Sequence, residues 1–269
     1  MDTPLDDLQL AGLGARRVKT DTTPEELVLP HDAEQRLGWI AAWLTQPSHA
    51  LNEWGVHHLI DGGFRALFSG PSGTGKTMAA IALAQGTERP LLSVDPRAVV
   101  SKHIGETETD LSELFARAER DRAILLFDEA DALLAKRSEV KDAHDRYANL
   151  EIAYLLRRIE AFQGLAILAT NSRDHLDEAA IRRLDVIVDF PLPDEAARRQ
   201  LWERLLGSVK MAKSGDIDVA KLASEYELCG GEILRAVRMA ALQASNAAVP
   251  LDMAGLKSAA AERVAMHEG

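Results

Sequence analysis

The stretch Gly70-Pro71-Ser72-Gly73-Thr74-Gly75-Lys76-Thr77 decides how the rest of this 269-residue chain is read. It meets the pattern G-x-x-x-x-G-K-[ST] at every fixed position. Before it, Phe64-Arg-Ala-Leu-Phe68 predicts a short, largely apolar strand; after it, Met78 to Gln85 predicts an Ala-rich helix. Glycines let the backbone curl so that successive N–H groups point inward at phosphate oxygens, and the new helix adds its positive end. In such a loop the Lys76 ammonium reaches the β- and γ-phosphates and the Thr77 hydroxyl ligates Mg²⁺. Pro71, Ser72, Gly73, Thr74, Gly75, Lys76, Thr77 and Met78 are therefore candidate nucleotide contacts. A Gly-rich turn with a chance lysine would need neither the strand nor the helix.

Downstream, apolar runs alternate with helical patterns. Leu91-Leu-Ser-Val94 reads as a second strand and Asp110 to Arg120 as an amphipathic helix with Leu111, Leu114, Phe115 and Ala118 on one face. Ala123-Ile-Leu-Leu-Phe127 is a continuous apolar run, the mark of a parallel strand covered on both faces. It ends in Asp128-Glu129. Two acids at the end of a buried strand are costly unless a cation meets them, and a Mg²⁺–nucleotide complex supplies that charge. Asp128 suits the metal, and Glu129 suits activation of the attacking water. The plainer alternative is a helix start that favours acids. A helix over Arg146 to Phe162 precedes the strand Leu165 to Ala169, which ends in Thr170-Asn171. Asn171 could hold the water and sense the γ-phosphate, or simply form a turn. Asp185 to Phe190 is the fifth strand.

Strands alternating with helices predict an α/β fold: a five-stranded parallel sheet with flanking helices and the ligand at the strands' carboxyl ends. From Asp194 the character changes. Asp194 to Leu206, Ile217 to Glu225, Gly231 to Ala244 and Leu251 to Ala265 predict four helices with no strand, with Leu201/Leu205 and Ile233/Val237/Leu242 as core spacings. The expected division is a flexible lead-in over 1–24, a nucleotide-binding domain over 25–193 and a small all-helical lid over 194–269. Arg16-Arg17-Val-Lys19 in the lead-in reads as a solvated tail rather than a docking patch.

Composition narrows the classes. No apolar run approaches the roughly 20 residues that cross a bilayer, and the acidic start Met1-Asp-Thr-Pro-Leu-Asp-Asp does not read as a signal peptide. A single cysteine, Cys229, leaves no internal disulfide, so the expected setting is the reducing cytoplasm. The net charge of -11 argues against general nucleic-acid binding, which needs clustered Lys and Arg. His57-His58 lacks acid or thiol partners at ligand spacing and is not read as a metal site.

In order and spacing, several motifs resemble an AAA+ ATPase module (a P-loop NTPase with a helical lid), closest to its classical branch. They are the phosphate loop, Val100-Ser-Lys-His-Ile-Gly-Glu-Thr-Glu108, Phe127-Asp-Glu-Ala-Asp131, Ala169-Thr-Asn171 and Asp177-Glu-Ala-Ala-Ile-Arg-Arg183. Asp142-Ala-His-Asp-Arg-Tyr-Ala-Asn149 and Ala153-Tyr-Leu-Leu156 further resemble the ATPases of phage-tail-like contractile injection systems. The resemblance implies ATP and Mg²⁺ as cofactors, with Lys76 and Thr77 on phosphate and metal, Asp128 on metal, Glu129 on water and Asn171 as polar sensor. It also implies Arg182 or Arg183 as an arginine finger into a neighbouring subunit, and hence a homo-oligomer, by analogy a hexamer. The usual two-residue spacer between two finger arginines is missing, which leaves the choice between them open. Gly230 and Gly231 match the lid glycine near the nucleotide. Leu27, Val28 and Leu201 would flank the adenine, although apolar packing explains them equally well.

A central-pore loop would span Lys102, His103 and Ile104. Threading ATPases of the classical branch carry an aromatic residue where this chain has His103; imidazole can wedge too, or be an ordinary loop histidine. The expected function is Mg²⁺-dependent ATP hydrolysis by a ring that remodels, loads or disassembles a protein partner or large assembly. A nucleotide-controlled assembly factor that docks without threading is the alternative. A clamp-loader-like ATPase on DNA is disfavoured by the acidic balance.

Overall fold

The computed structural model describes residues 7–18, 27–45, 62–96, 106–134, 143–173 and 176–266. Its contacts divide the chain into two compact units: residues 1–24, 31–70 and 76–189, and residues 25–30, 71–75 and 190–269.

The first unit is built on a six-stranded sheet. Its strands are β1 (Ala15–Arg17), β2 (Phe64–Ser69), β3 (Leu91–Val94), β4 (Ile124–Phe127), β5 (Leu165–Thr170) and β6 (Val186–Asp189), in spatial order β1-β3-β4-β5-β2-β6. From β3 to β6 every pairing is parallel, so Ser69, Phe127, Thr170 and Asp189 end their strands along one edge. The central strands are buried at every position of β3, β4 and β5, as continuous apolar runs require of strands covered on both faces. The strand carrying the phosphate loop does not touch the acidic strand. β5 lies between them, with Phe68 opposite Ala169 and Phe127 opposite Leu168.

Five strands were expected; the sixth is β1, which pairs antiparallel to β3 with Ala15 opposite Val94. Residues 7–18, within the expected lead-in, thus contribute a helix and a strand to this unit. Helix α1 (Asp7–Gly12) buries Leu10, and Leu13 and Ala15 join the same core, while Arg16 stays exposed. An edge strand of three residues, two of them arginine, has too little apolar alternation to be legible, and its backbone pairing supplies what its side chains do not.

Helices α2 (His31–Thr45) and α3 (Lys76–Gly86) flank the sheet. So do α4 (Glu106–Arg120) and α6 (Ala143–Ala161), with the single turns α5 (Asp131–Leu134) and α7 (Glu178–Ile181) between strands. The predicted face of α4, Leu111, Leu114, Phe115 and Ala118, is buried. Phe115 lies 6.3 Å from the Phe127 ring and edge-on to Phe162 at 5.5 Å. Phe115→Ala is expected to destabilise the fold by about 3–5 kcal/mol, whereas Leu150→Ala, at an exposed position of α6, should change it by less than about 0.5 kcal/mol. Urea denaturation of the two variants checks both.

The second unit contains α8 (Glu195–Ser208), α9 (Val219–Glu225), α10 (Gly230–Asn246) and α11 (Met253–Ala265) around Trp202, Leu222, Ile233, Val237 and Leu256. Asp194, Asp218 and Asp252 cap three of these helices by accepting from Ala197, Lys221 and Gly255 N–H groups. Each such cap is worth about 1 kcal/mol. Leu242, expected in the core, is 63% exposed. The inward row of α10 runs Ile233, Val237, Ala240, Ala244, and a step of five residues from Val237 turns Leu242 about 140° away from it.

Candidate nucleotide site

The phosphate loop leaves β2 after Ser69. Gly70, Gly73 and Gly75 take φ of 148°, 79° and 110°, all within the range that L side chains rarely adopt. The chain then enters α3 with Lys76. That side chain is 7% exposed; its Nζ donates to Gly70 O at 2.6 Å and to Asn171 Oδ1 at 3.0 Å. One residue on, Thr77 Oγ1 donates to Asp128 Oδ2 at 3.3 Å. The ends of β2, β4 and β5 thus bring together Lys76, Thr77, Asp128 and Asn171, which are separated by up to 95 residues in sequence.

Asp128 uses its other oxygen to accept from Glu129 N at 3.1 Å. Glu129 is exposed and has φ of 52°, a left-handed conformation costing a non-glycine residue on the order of 1–2 kcal/mol. Directly after it, Ala130 N donates to Ala169 O at 2.8 Å, which docks the turn onto β5. Asp131 was not singled out as a site residue. Its Oδ1 accepts from Thr170 Oγ1 at 2.6 Å and from Asn171 N at 3.3 Å, so it fixes the backbone on which Asn171 sits. The signal that could have found it is the third acid of Phe127-Asp-Glu-Ala-Asp131 facing a buried strand-end threonine.

For a metal, the donor set is one carboxylate and one hydroxyl. Among the described residues no group of three or more His, Cys, Asp or Glu side chains comes together to hold an ion. Asp128 and Thr77 fit Mg²⁺, which keeps its waters and binds through one or two protein oxygens plus substrate phosphates rather than an all-protein cage.

Within the second unit the loop residues meet the start of α10. Gly231 N donates to Gly73 O at 2.9 Å. A Cβ on Gly73 would lie 2.6 Å from Cys229 Sγ, and one on Gly231 would lie 3.1 Å from the Gly73 Cα. Leu201 packs where a Gly230 side chain would begin, at 3.6 Å, and Leu27 Cδ1 lies 3.1 Å from a Cβ built on Gly75. Arg204 Nη1 holds this last segment by donating to Leu27 O at 2.8 Å. Val28 is half-buried, and Pro71 and Ser72 are exposed. Burial, reinforced by Glu232, pushes the Cys229 thiol up to about 11, so it stays protonated and inert at neutral pH.

Residues 66–192 match the profile of the ATPase family associated with various cellular activities (AAA). The chain carries an AAA ATPase domain. Among curated proteins, it is 36% identical over 170 residues to a 26S proteasome regulatory subunit 10B of Dictyostelium discoideum, covering 60% of this chain and 43% of that protein. A vesicle-fusing ATPase of Arabidopsis thaliana is 32% identical over 231 residues, covering 77% and 30%. A proteasome-activating nucleotidase of Methanocaldococcus jannaschii is 34% identical over 178 residues, covering 64% and 41%. The chain spans less than half the length of these relatives. Among the described residues no helix is long and apolar enough to cross a membrane.

Two further expectations concern residues away from the phosphate loop. Arg182 and Arg183 follow α7, whose N-cap Asp177 accepts from Ala179 N. Arg182 is 80% exposed and lies 3.6 Å from the equally exposed Glu178, whereas Arg183 is paired with Glu160 of α6. Lys102, His103 and Ile104 lie outside the described residues.

Proposed function

We propose that this chain hydrolyses ATP with Mg²⁺ and couples turnover to work on a protein partner, in a ring assembled from copies of itself. The observation that carries the reading is the meeting of Lys76, Thr77, Asp128 and Asn171 at three strand ends, with Glu129 adjoining them. Lys76 neutralises phosphate charge in the bound ground state. Glu129 acts on the attacking water as the terminal phosphoryl group leaves, and Asn171 orients that water or the γ-phosphate. Thr77 and Asp128 would hold Mg²⁺, which would supply positive charge against the phosphates. Residues 25–193 serve as the nucleotide-binding domain and 194–269 as its lid, and the family resemblance extends the nucleotide contacts to Leu27, Val28, Leu201, Gly230 and Gly231. Arg182 is the finger supplied to a neighbouring copy, because its side chain is 80% exposed against 56% for Arg183, which pairs with Glu160 of the same subunit.

The names of the similar proteins connect such domains with the proteasome and with vesicle fusion. Together with the likeness of 142–149 and 153–156 to injection-system ATPases, this supports a large protein assembly as partner. His103, at the position where threading ATPases of the classical branch carry an aromatic residue, favours a second reading in which the ring docks on the assembly without pulling a chain through its pore.

Casein, an unstructured polypeptide, separates the two. A threading ring should release phosphate faster in its presence; His103→Tyr should keep that stimulation and His103→Ala should lose it, because an aromatic ring buries more area than imidazole. Basal release should be alike in all three. Equal stimulation of His103→Ala and the unaltered chain would overturn threading.

A further inference from the structure

Three strand ends next to the phosphate loop are joined by side chains that the reaction as described does not use. Ser69, the last residue of β2, and Asp189, the last residue of β6, stand opposite each other in the parallel ladder. Ser69 is 2% exposed, and its Oγ donates to Asp189 Oδ1 at 2.6 Å. The same carboxylate accepts from Arg173 Nη1, at 2.9 Å to Oδ1 and 3.1 Å to Oδ2. Arg173 lies just beyond β5, two residues after Asn171.

These bonds close a circuit. From Asn171 Oδ1 it runs to Lys76 Nζ, and from Lys76 Nζ to Gly70 O. Gly70 follows Ser69 in the chain, and its N–H also donates to Thr170 O at 3.2 Å. From Ser69 the path passes through Asp189 and Arg173 back to Asn171. We propose that Arg173, Asp189 and Ser69 are positioning residues for ATP hydrolysis: they hold the carboxyl side of the Asn171 segment in register with the root of the phosphate loop, while Asp131 holds its amino side.

The chemistry supports a positional role over a merely stabilising one. Arg173 and Asp189 are 43% and 50% exposed, and an ion pair so accessible to water adds little to stability. Its effect is geometric, because the buried Ser69 hydroxyl fixes one oxygen of the carboxylate on which the guanidinium closes. Asn171 is itself exposed and lies past the end of its strand, so its backbone is held by such side-chain bonds rather than by the ladder. A displacement of about 1 Å in a positioning group can cost on the order of 10²-fold in rate.

The inference rests on the role proposed for Asn171, and the test keeps the two apart. Arg173→Ala and Asp189→Asn are each expected to lower kcat for phosphate release roughly 10- to 10²-fold while KM for ATP stays within about threefold, as for a loss felt mainly in the transition state. Arg173→Lys should recover part of the rate by returning one cation to Asp189. Because Arg173 acts through Asn171, adding Arg173→Ala to Asn171→Ala should bring no further loss. If Arg173→Ala and Asp189→Asn turn over within twofold of the unaltered chain while Asn171→Ala is slow, the positioning role is wrong and the reading of Asn171 stands. Losses that multiply in the double variant also overturn it. If Asn171→Ala itself turns over normally, both the role of Asn171 and the circuit built on it fall.

Discussion

Glu129→Gln is expected to bind ATP about as tightly as the unaltered chain and to release phosphate roughly 10²- to 10⁴-fold more slowly, the usual contribution of a positioned proton acceptor. In the role proposed for it the carboxylate acts on the water only as the bond breaks, so its loss should be felt in the transition state and not in the bound ground state. The backbone agrees with that specialisation: Glu129 has φ of 52° at the exposed end of a buried strand, a conformation retained at a cost of on the order of 1–2 kcal/mol. Lys76→Ala should behave in the opposite way and lose binding itself, since the ammonium meets phosphates before any chemistry. Nucleotide titration and phosphate release on both variants give the answer. Near-normal hydrolysis by Glu129→Gln would remove the residue from its role.

Arg182→Ala should slow hydrolysis by roughly 10³- to 10⁵-fold, the effect of an arginine finger in phosphoryl transfer. Arg183→Ala should do far less. The two arginines are adjacent in sequence, but Arg183 is paired with Glu160 of α6, whereas Arg182 lies beside the exposed Glu178 one turn away. Mixing experiments show whether the finger acts between copies. Neither Arg182→Ala nor Lys76→Ala alone should turn over. Together they should recover, because a subunit with an intact loop then receives Arg182 from a Lys76→Ala neighbour. A mixture that stays inactive, or full turnover by Arg182→Ala alone, would exclude a finger in trans at this position.

The phosphate loop was legible because its chemistry fixes residue types at fixed intervals. The β3 and β4 strands were legible because burial on both faces leaves an unbroken apolar run such as Ile124-Leu-Leu-Phe127. What stayed hidden depends on neighbours in space. β1 is held by backbone pairing to β3 and has almost no side-chain pattern. Asp131, Arg173, Asp189 and Ser69 gain their meaning only from the strand order: β5 lies between β4 and β2, and β2 between β5 and β6, which no local spacing states. Leu242 read as core from its place in the Ile233/Val237/Leu242 spacing, yet the face of α10 that turns inward is set by the helices packed against it. The choice between Arg182 and Arg183 likewise rested on a partner 23 residues upstream of Arg183.

Phosphate release from ATP and Mg²⁺, followed across a protein dilution series with light scattering on the same samples, is the most direct test of hydrolysis by an assembled ring. Release per subunit should rise as copies associate, fall away on dilution, and stay near background for Glu129→Gln at every concentration. Assembled protein that releases no phosphate, or a monomer that hydrolyses at the full rate, would contradict it.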